Sequence, residues 1–143
     1  MRLRTPLRKR GVTTERWARW RDKNRAIVAA RARGRCEGCG ATDGPRELHH
    51  CFGRSHIISE PWASLAAMCA SLCLPCHRDI TNGGDPYLTL QMRSEALWRL
   101  RDQFGGLLPM YPDLDAVEVA RLYVSALSEE WEFDPDRCAV VRR

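Results

Sequence analysis

Residues 35–82 decide how this chain folds, because they hold Cys36-Glu37-Gly38-Cys39, His49-His50 and Cys73-Leu74-Pro75-Cys76-His77. Two CxxC pairs thus bracket two adjacent histidines, and a further histidine follows the second pair directly. Four thiols in two CxxC units are the ligand set of a tetrahedral zinc site, in which no position stays open for a substrate. The spacing therefore predicts a structural zinc, and its ligands would be Cys36, Cys39, Cys73 and Cys76.

The second cysteine pair has an alternative register, because Cys69 and Cys73 would form a CxxxC unit. We prefer Cys73 with Cys76, since this spacing matches the first pair and places Pro75 in the first turn of a helix, where proline is tolerated. A CxxC unit also occurs in thiol redox proteins, but the βαβ pattern that accompanies it there is absent here. Three cysteines are then not ligands: Cys51, Cys69 and Cys138.

Charge is unevenly distributed along the 143 residues, whose net charge is +5. Residues 1–35 carry 13 Lys or Arg and 2 acids, a local charge of +11, whereas residues 36–143 have a local charge of −6. Positive charge concentrated at one end favours a polyanion such as DNA as partner. The residues that we expect to contact DNA are Arg8, Lys9, Arg10, Arg16, Arg19 and Lys23.

The first residues and the hydropathy bear on the compartment. No hydrophobic segment follows Met1, and no apolar run approaches the ~20 residues that a membrane helix needs. We therefore expect no signal peptide, no membrane partner and a cytoplasmic location. Outside the secretory pathway, paired cysteines more often bind metal than form disulfides, which agrees with a zinc site.

The chain divides into four predicted parts: a basic flexible arm (1–12), a basic helix (13–34), a metal-binding core (35–84) and a helical extension with an acidic tail (85–143). In the helix, Thr13 or Thr14 is the expected cap, Gly34 the expected end, and the apolar stripe consists of Trp17, Trp20, Ile27 and Val28.

In the core, we predict a strand over 46–52, a returning strand over 65–72 and a short helix that begins at the second CxxC. The extension has helical spacing over 89–104, and Asp115 with Glu118 forms a capping box for a last helix to about Glu129. We interpret these two helices as packing scaffold. The fold class is therefore α+β.

The histidines suit a second centre. Adjacent residues of a strand point to opposite faces, so His49 and His50 would not bind the same ion. They do suit a divided task, in which one binds a metal and the other acts on water. A zinc that ties the two CxxC pairs together would also draw the helix carrying His77 against this strand. We therefore expect these three histidines to form a catalytic centre that hydrolyses nucleic acid.

The succession CxxC, His-His, CxxC-His resembles the HNH endonucleases, especially the zinc-knuckle branch common in phages and restriction systems. The resemblance covers about residues 33–82 and implies a ββα-metal core with a divalent ion between a hairpin and a helix. It implies His50 as general base, His49 and His77 as ligands of that ion, and Arg54 close to the scissile phosphate.

The function that this resemblance implies is a metal-dependent DNA endonuclease, with Mg, Mn, Ni or Zn as the catalytic ion beside the structural zinc. One such centre cuts one strand, so double-strand cleavage would need a homodimer or a second encounter. The acidic tail could dock a partner protein from a phage or restriction system.

Family members carry Asn in the middle motif, where it braces the loop of the general base; here Met68 stands near that position, and the polar candidates are Ser64 and Ser71. The alternative is therefore a zinc-stabilised nucleic-acid-binding module without catalytic activity.

Overall fold

The computed structural model describes residues 12–53, 62–104, 115–134, 137 and 139–143. These ranges form four α-helices and two small antiparallel sheets, which confirms the mixed α+β class. The helices are α1 Val12–Ala32, α2 Leu74–Thr81, α3 Pro86–Phe104 and α4 Ala116–Glu130. The strands are β1 Arg46–His50, β2 Cys69–Cys73, β3 Trp131–Asp134 and β4 Ala139–Arg142.

The first sheet lies at the centre of the molecule. β1 and β2 are antiparallel, with Arg46 opposite Cys73 and His50 opposite Cys69. Every residue of β2 is buried, as expected for a short run of small and apolar side chains enclosed on both faces. β2 leads directly into α2, so the two strands and the helix follow one another around the second CxxC.

The returning strand is shorter than its sequence predicts. It begins at Cys69, and the residues before it form two 3₁₀ turns, Trp62–Ser64 and Ala66–Met68. Side chains from two helices bind the backbone here. Asn24 Oδ1 accepts from Ala66 N at 2.9 Å, Arg31 Nη1 donates to Ala66 O at 2.8 Å, and Arg99 Nε donates to Ala67 O at 3.0 Å. These bonds satisfy buried backbone groups that a strand would have paired with its neighbour.

α1 packs against this centre along a narrow stripe. Its buried residues recur every fourth position and are Trp20, Asn24, Val28 and Ala32. Ile27, which the sequence pattern placed in the stripe, is 49% exposed instead; the Trp17 side chain lies outside the described part. The helix ends close to the predicted Gly34, where Arg33 (φ 53°) and Gly34 (φ 73°) both adopt the left-handed conformation that favours glycine at a helix C-terminus.

α3 and α4 complete the larger hydrophobic core. Both were predicted, and the Asp115 side chain accepts the predicted capping bond from Glu118 N at 2.9 Å. Tyr123 is fully buried on α4, and its hydroxyl donates to Leu100 O on α3 at 3.2 Å. The segment predicted only as an acidic tail instead forms the β3–β4 hairpin. No described helix is both long and apolar enough to span a membrane.

A charged network joins α1, the first CxxC and β2. Arg31 Nε and Nη2 donate to the two carboxylate oxygens of Glu37 at 2.7 and 2.9 Å, and Ser71 N donates to Glu37 Oε2 at 2.7 Å. Arg31 also donates to Cys69 O at 2.6 Å. Burial opposes ionisation of Glu37, but the bonds from Arg31 and Ser71 N outweigh it and lower the pKa of the carboxyl. Glu37 thus connects the loop of the first cysteine pair to the sheet.

We expect Glu37→Gln to lower the free energy of unfolding by ~1–3 kcal/mol, because it leaves the largely buried Arg31 without a counter-charge. Urea denaturation in zinc-containing buffer measures this change.

The matched control is Arg121→Gln, which removes an exposed ion pair with Glu118 on α4 (3.0 Å) and should change the free energy of unfolding by less than ~0.5 kcal/mol. Equal effects of the two substitutions would show that the Arg31–Glu37 pair contributes no more than a surface pair.

Candidate functional site

The four cysteines of the two CxxC units meet in space. Their sulfur atoms all lie within 4.8 Å of one another, and Cys39 Sγ and Cys73 Sγ are 3.8 Å apart. A tetrahedron of Zn–S bonds of ~2.3 Å has sulfurs about 3.8 Å apart, so the cluster fits such an ion. Cys69 is not in the cluster, which confirms the pairing of Cys73 with Cys76. The four thiols could therefore hold a metal ion such as zinc.

The loop of the first pair turns its backbone amides toward sulfur. Gly38 N and Cys39 N donate to Cys36 Sγ at 3.3 and 3.4 Å. A Cβ at Gly38 would lie 3.2 Å from Leu88 Cδ1 and 3.3 Å from Leu72 Cδ2. The loop thus packs directly against the core, and a side chain at this position would force the two leucines to shift.

The cluster favours a cation. Burial opposes ionisation of Cys36, but hydrogen bonds from the backbone of Cys73, Cys39 and Gly38 lower the pKa of this thiol to about 6. Burial raises the pKa of Cys76, and so do the neighbouring thiols. The Cys36 thiolate therefore forms readily, while Cys76 resists a second negative charge. A bound divalent ion supplies the positive charge that lets all four ionise.

We expect the purified chain to carry about one zinc, and Cys39→Ser to lose it and to unfold at lower temperature, since ligand loss removes the metal's contribution to folding. Metal content by mass spectrometry and thermal denaturation measure the two effects.

Cys51→Ala is the matched control. Cys51 is buried outside the cluster, and burial raises the pKa of its thiol to about 12, so it remains protonated. This variant should keep its zinc. A Cys39→Ser protein that is stable and fully loaded with zinc would contradict the ligand assignment.

His49 and His77 lie side by side on the face of β1 that is turned to α2. Their ring centroids are 5.3 Å apart at an interplanar angle of 67°. Glu47, two residues before His49 on the same strand face, accepts a hydrogen bond at its Oε2 from His77 Nδ1. A carboxylate on Nδ1 fixes the ring and leaves Nε2 for another partner, an arrangement common for metal-binding histidines.

His49 is held in its neutral form. Burial lowers its pKa to about 4, and the nearby charges of His77, His50 and Arg93 act in the same direction. At neutral pH its ring therefore has a lone pair on one nitrogen.

His50 faces the other side of the strand. With Leu48 it lines a cavity of about 340 Å³ between β1 and α1, opposite Arg25 and Val28. Its Nε2 lies 3.4 Å from the Oγ of Ser64, one of the two serines considered for the middle position. The adjacent histidines thus have different surroundings, as the alternation of a strand predicts.

The other predicted site residues are either exposed on α1 or outside the described part of the chain. Arg19 and Lys23 are exposed on α1. The remaining ones, Arg8, Lys9, Arg10, Arg54 and the side chain of Arg16, lie outside the described residues. Sequence reasoning missed Glu47 and Arg25. The alternation of a strand could have indicated Glu47, since it shares a face with His49. No local sequence pattern distinguishes Arg25 from the other arginines of α1.

Comparison of the chain with protein-family models, with curated proteins and with solved structures finds no match. The chemistry of the site must therefore be argued from its own residues.

Proposed function

We propose that the protein is a metal-dependent DNA endonuclease of the HNH type, in which β1, β2 and α2 form the ββα-metal core. The observation that carries the proposal is the 5.3 Å separation of the His49 and His77 rings, with His50 as the next residue of the same strand. The alternative, a nucleic-acid-binding module without catalysis, assigns no role to these three histidines.

The four-cysteine cluster would hold a structural zinc. Its four sulfur ligands complete a tetrahedron, so no position is left for substrate. Its role is to join the loop of Cys36 and Cys39 to the start of α2. Because His77 directly follows Cys76, the same junction sets the distance between His77 and β1.

The histidine pair fits a second ion. Two imidazoles that bind one ion with metal–nitrogen bonds of ~2.1 Å have ring centroids roughly 4.6–5.3 Å apart, depending on the angle between the bonds. The pair falls within this range, His49 is neutral, and Glu47 orients His77. A divalent ion there would neutralise charge that develops on the phosphate and on the leaving oxygen.

The remaining steps belong to side chains of this chain. His50, in its neutral form, would take a proton from the water that attacks phosphorus. Ser64, 3.4 Å from His50 Nε2, limits rotation of the ring. Arg54 would lie near the scissile phosphate, and the basic residues at 8–10, 16, 19 and 23 would add sequence-independent attraction to DNA.

The decisive experiment incubates supercoiled plasmid with the protein and Mg, Mn, Ni or Zn. We expect nicking that EDTA abolishes and that His50→Ala reduces by at least ~100-fold, the lower end of what a general base contributes. The exposed substitution Ser125→Ala on α4 should cut as the wild type does. DNA binding without cleavage under every ion would favour the non-catalytic module, and cleavage by His50→Ala at the wild-type rate would remove His50 from the reaction.

Glu47→Gln tests the metal pair separately. We expect the concentration of Mn that gives half-maximal cleavage to rise about 10–100-fold, because His77 loses the charged partner that orients it. Titration of activity against Mn measures this, with the exposed Glu132→Gln as control. An unchanged titration would show that Glu47 does not act on the metal pair.

A further inference from the structure

Two cavities lie on opposite sides of β1. The first, of about 340 Å³, separates β1 from α1 and contains His50. The second, of about 270 Å³, separates β1 from α2 and contains His77. Glu47 of β1 is a lining residue of both.

β1 allows a ligand to pass from one cavity to the other. It belongs to a two-stranded sheet and pairs with β2 alone, so its second edge carries no strand in the described part of the chain. A ligand lying across this edge is within reach of both strand faces. Such a ligand would pass between the His50 side and the His77 side of the strand.

Each cavity has one arginine whose side chain forms no hydrogen bond or ion pair with the described part of the chain. Arg25 in the first and Arg78 in the second are both exposed, and neither forms a salt bridge with a described carboxylate. Arg46 also lines the first cavity, but its Nη atoms already donate to backbone carbonyls, among them Asp43 O at 2.8 Å and Gly44 O at 3.1 Å. Arg25 and Arg78 are thus the two cations left for an anionic ligand.

The walls of the first cavity suit a nucleotide. Ala29 and Leu48 offer apolar surface beside Arg25, which matches a sugar or base next to a phosphate. Both cavity volumes lie close to the lower end for ligand pockets, ~300 Å³. A DNA duplex is far wider than such a cavity, since the major groove of B-DNA alone is about 12 Å wide. Each cavity therefore has room for a nucleotide of one strand.

We propose that a single nucleic-acid strand crosses the free edge of β1, with one phosphate bound by Arg25 in the α1 cavity and another bound by Arg78 in the α2 cavity. The proposal rests on the proposed nuclease function and adds the path and the form of its substrate. On this path the residue of α1 that contacts phosphate is Arg25, whereas Arg19 and Lys23 do not line the cavity.

Binding of a fluorescein-labelled 12-nucleotide single strand, measured by anisotropy without added divalent ion, tests this path. We expect Arg25→Gln and Arg78→Gln each to weaken binding about fivefold at ~0.1 M salt, and the double variant about 25-fold, because each phosphate contact with a single strand releases ~0.7 counterion. The slope of log K against log salt should become shallower by ~0.7 for each variant.

Arg33→Gln is the matched control, since it removes the same charge at an exposed residue, just after α1, that lines neither cavity. It should weaken binding less than twofold. Equal weakening by all three single variants would overturn the path, and so would a duplex of the same sequence that binds more tightly with the same dependence on Arg25 and Arg78. All the substituted residues are exposed, and equal melting temperatures would exclude loss of fold as the cause.

Plasmid cleavage separates this inference from the nuclease proposal. Metal-dependent cleavage with arginine variants that behave like Arg33→Gln would overturn the strand path and leave the nuclease in place. Binding through both arginines without cleavage under any ion would overturn the nuclease and support the path.

Discussion

The closeness of four cysteine sulfurs is the constraint on which this structure depends. They lie within 4.8 Å of one another, although 34 residues separate Cys39 from Cys73. That distance is compatible with ionised thiols only if a cation compensates their charge. The cluster brings the loop of the first pair, the end of β2 and the start of α2 to one point. The positions of His49 and His77 follow from that junction, because one lies on the strand beside β2 and the other follows Cys76.

A second set of contacts makes the same junction rigid from the side of α1. Glu37 lies between two cluster cysteines, and its carboxylate is bound by Arg31 of α1 and by the backbone of β2. Any movement of the cysteine loop would therefore strain α1, and α1 is one wall of the cavity that contains His50. Glu37 therefore connects the cysteine loop both to β2 and to the helix that lines the His50 cavity.

The sequence was sufficient where chemistry or periodicity is local. The CxxC spacing predicted the cysteine cluster, and the helical period predicted α3. Alternation along β1 predicted that His49 and His50 lie on opposite faces of the strand. The sequence was insufficient where a contact joins distant segments: Asn24 binds Ala66 N across 42 residues, and Arg31 is one arginine among many in a basic helix. Such side chains have no local mark, because their partners are defined only after the chain has folded. The β3–β4 hairpin was missed because its acidic residues masked a short strand pattern.

The pairing of β1 with β2 has a consequence for how such a chain can evolve. His50 is opposite Cys69, and each step along the strand reverses the direction of the side chain. A slip of the pairing by one residue would turn Glu47 and His49 toward α1 and His50 toward α2, so both chemical faces would be exchanged at once. A slip by two would restore the faces but displace them along the sheet. A single insertion or deletion within the five residues of the strand would therefore alter the histidine sites on both sides of the sheet together.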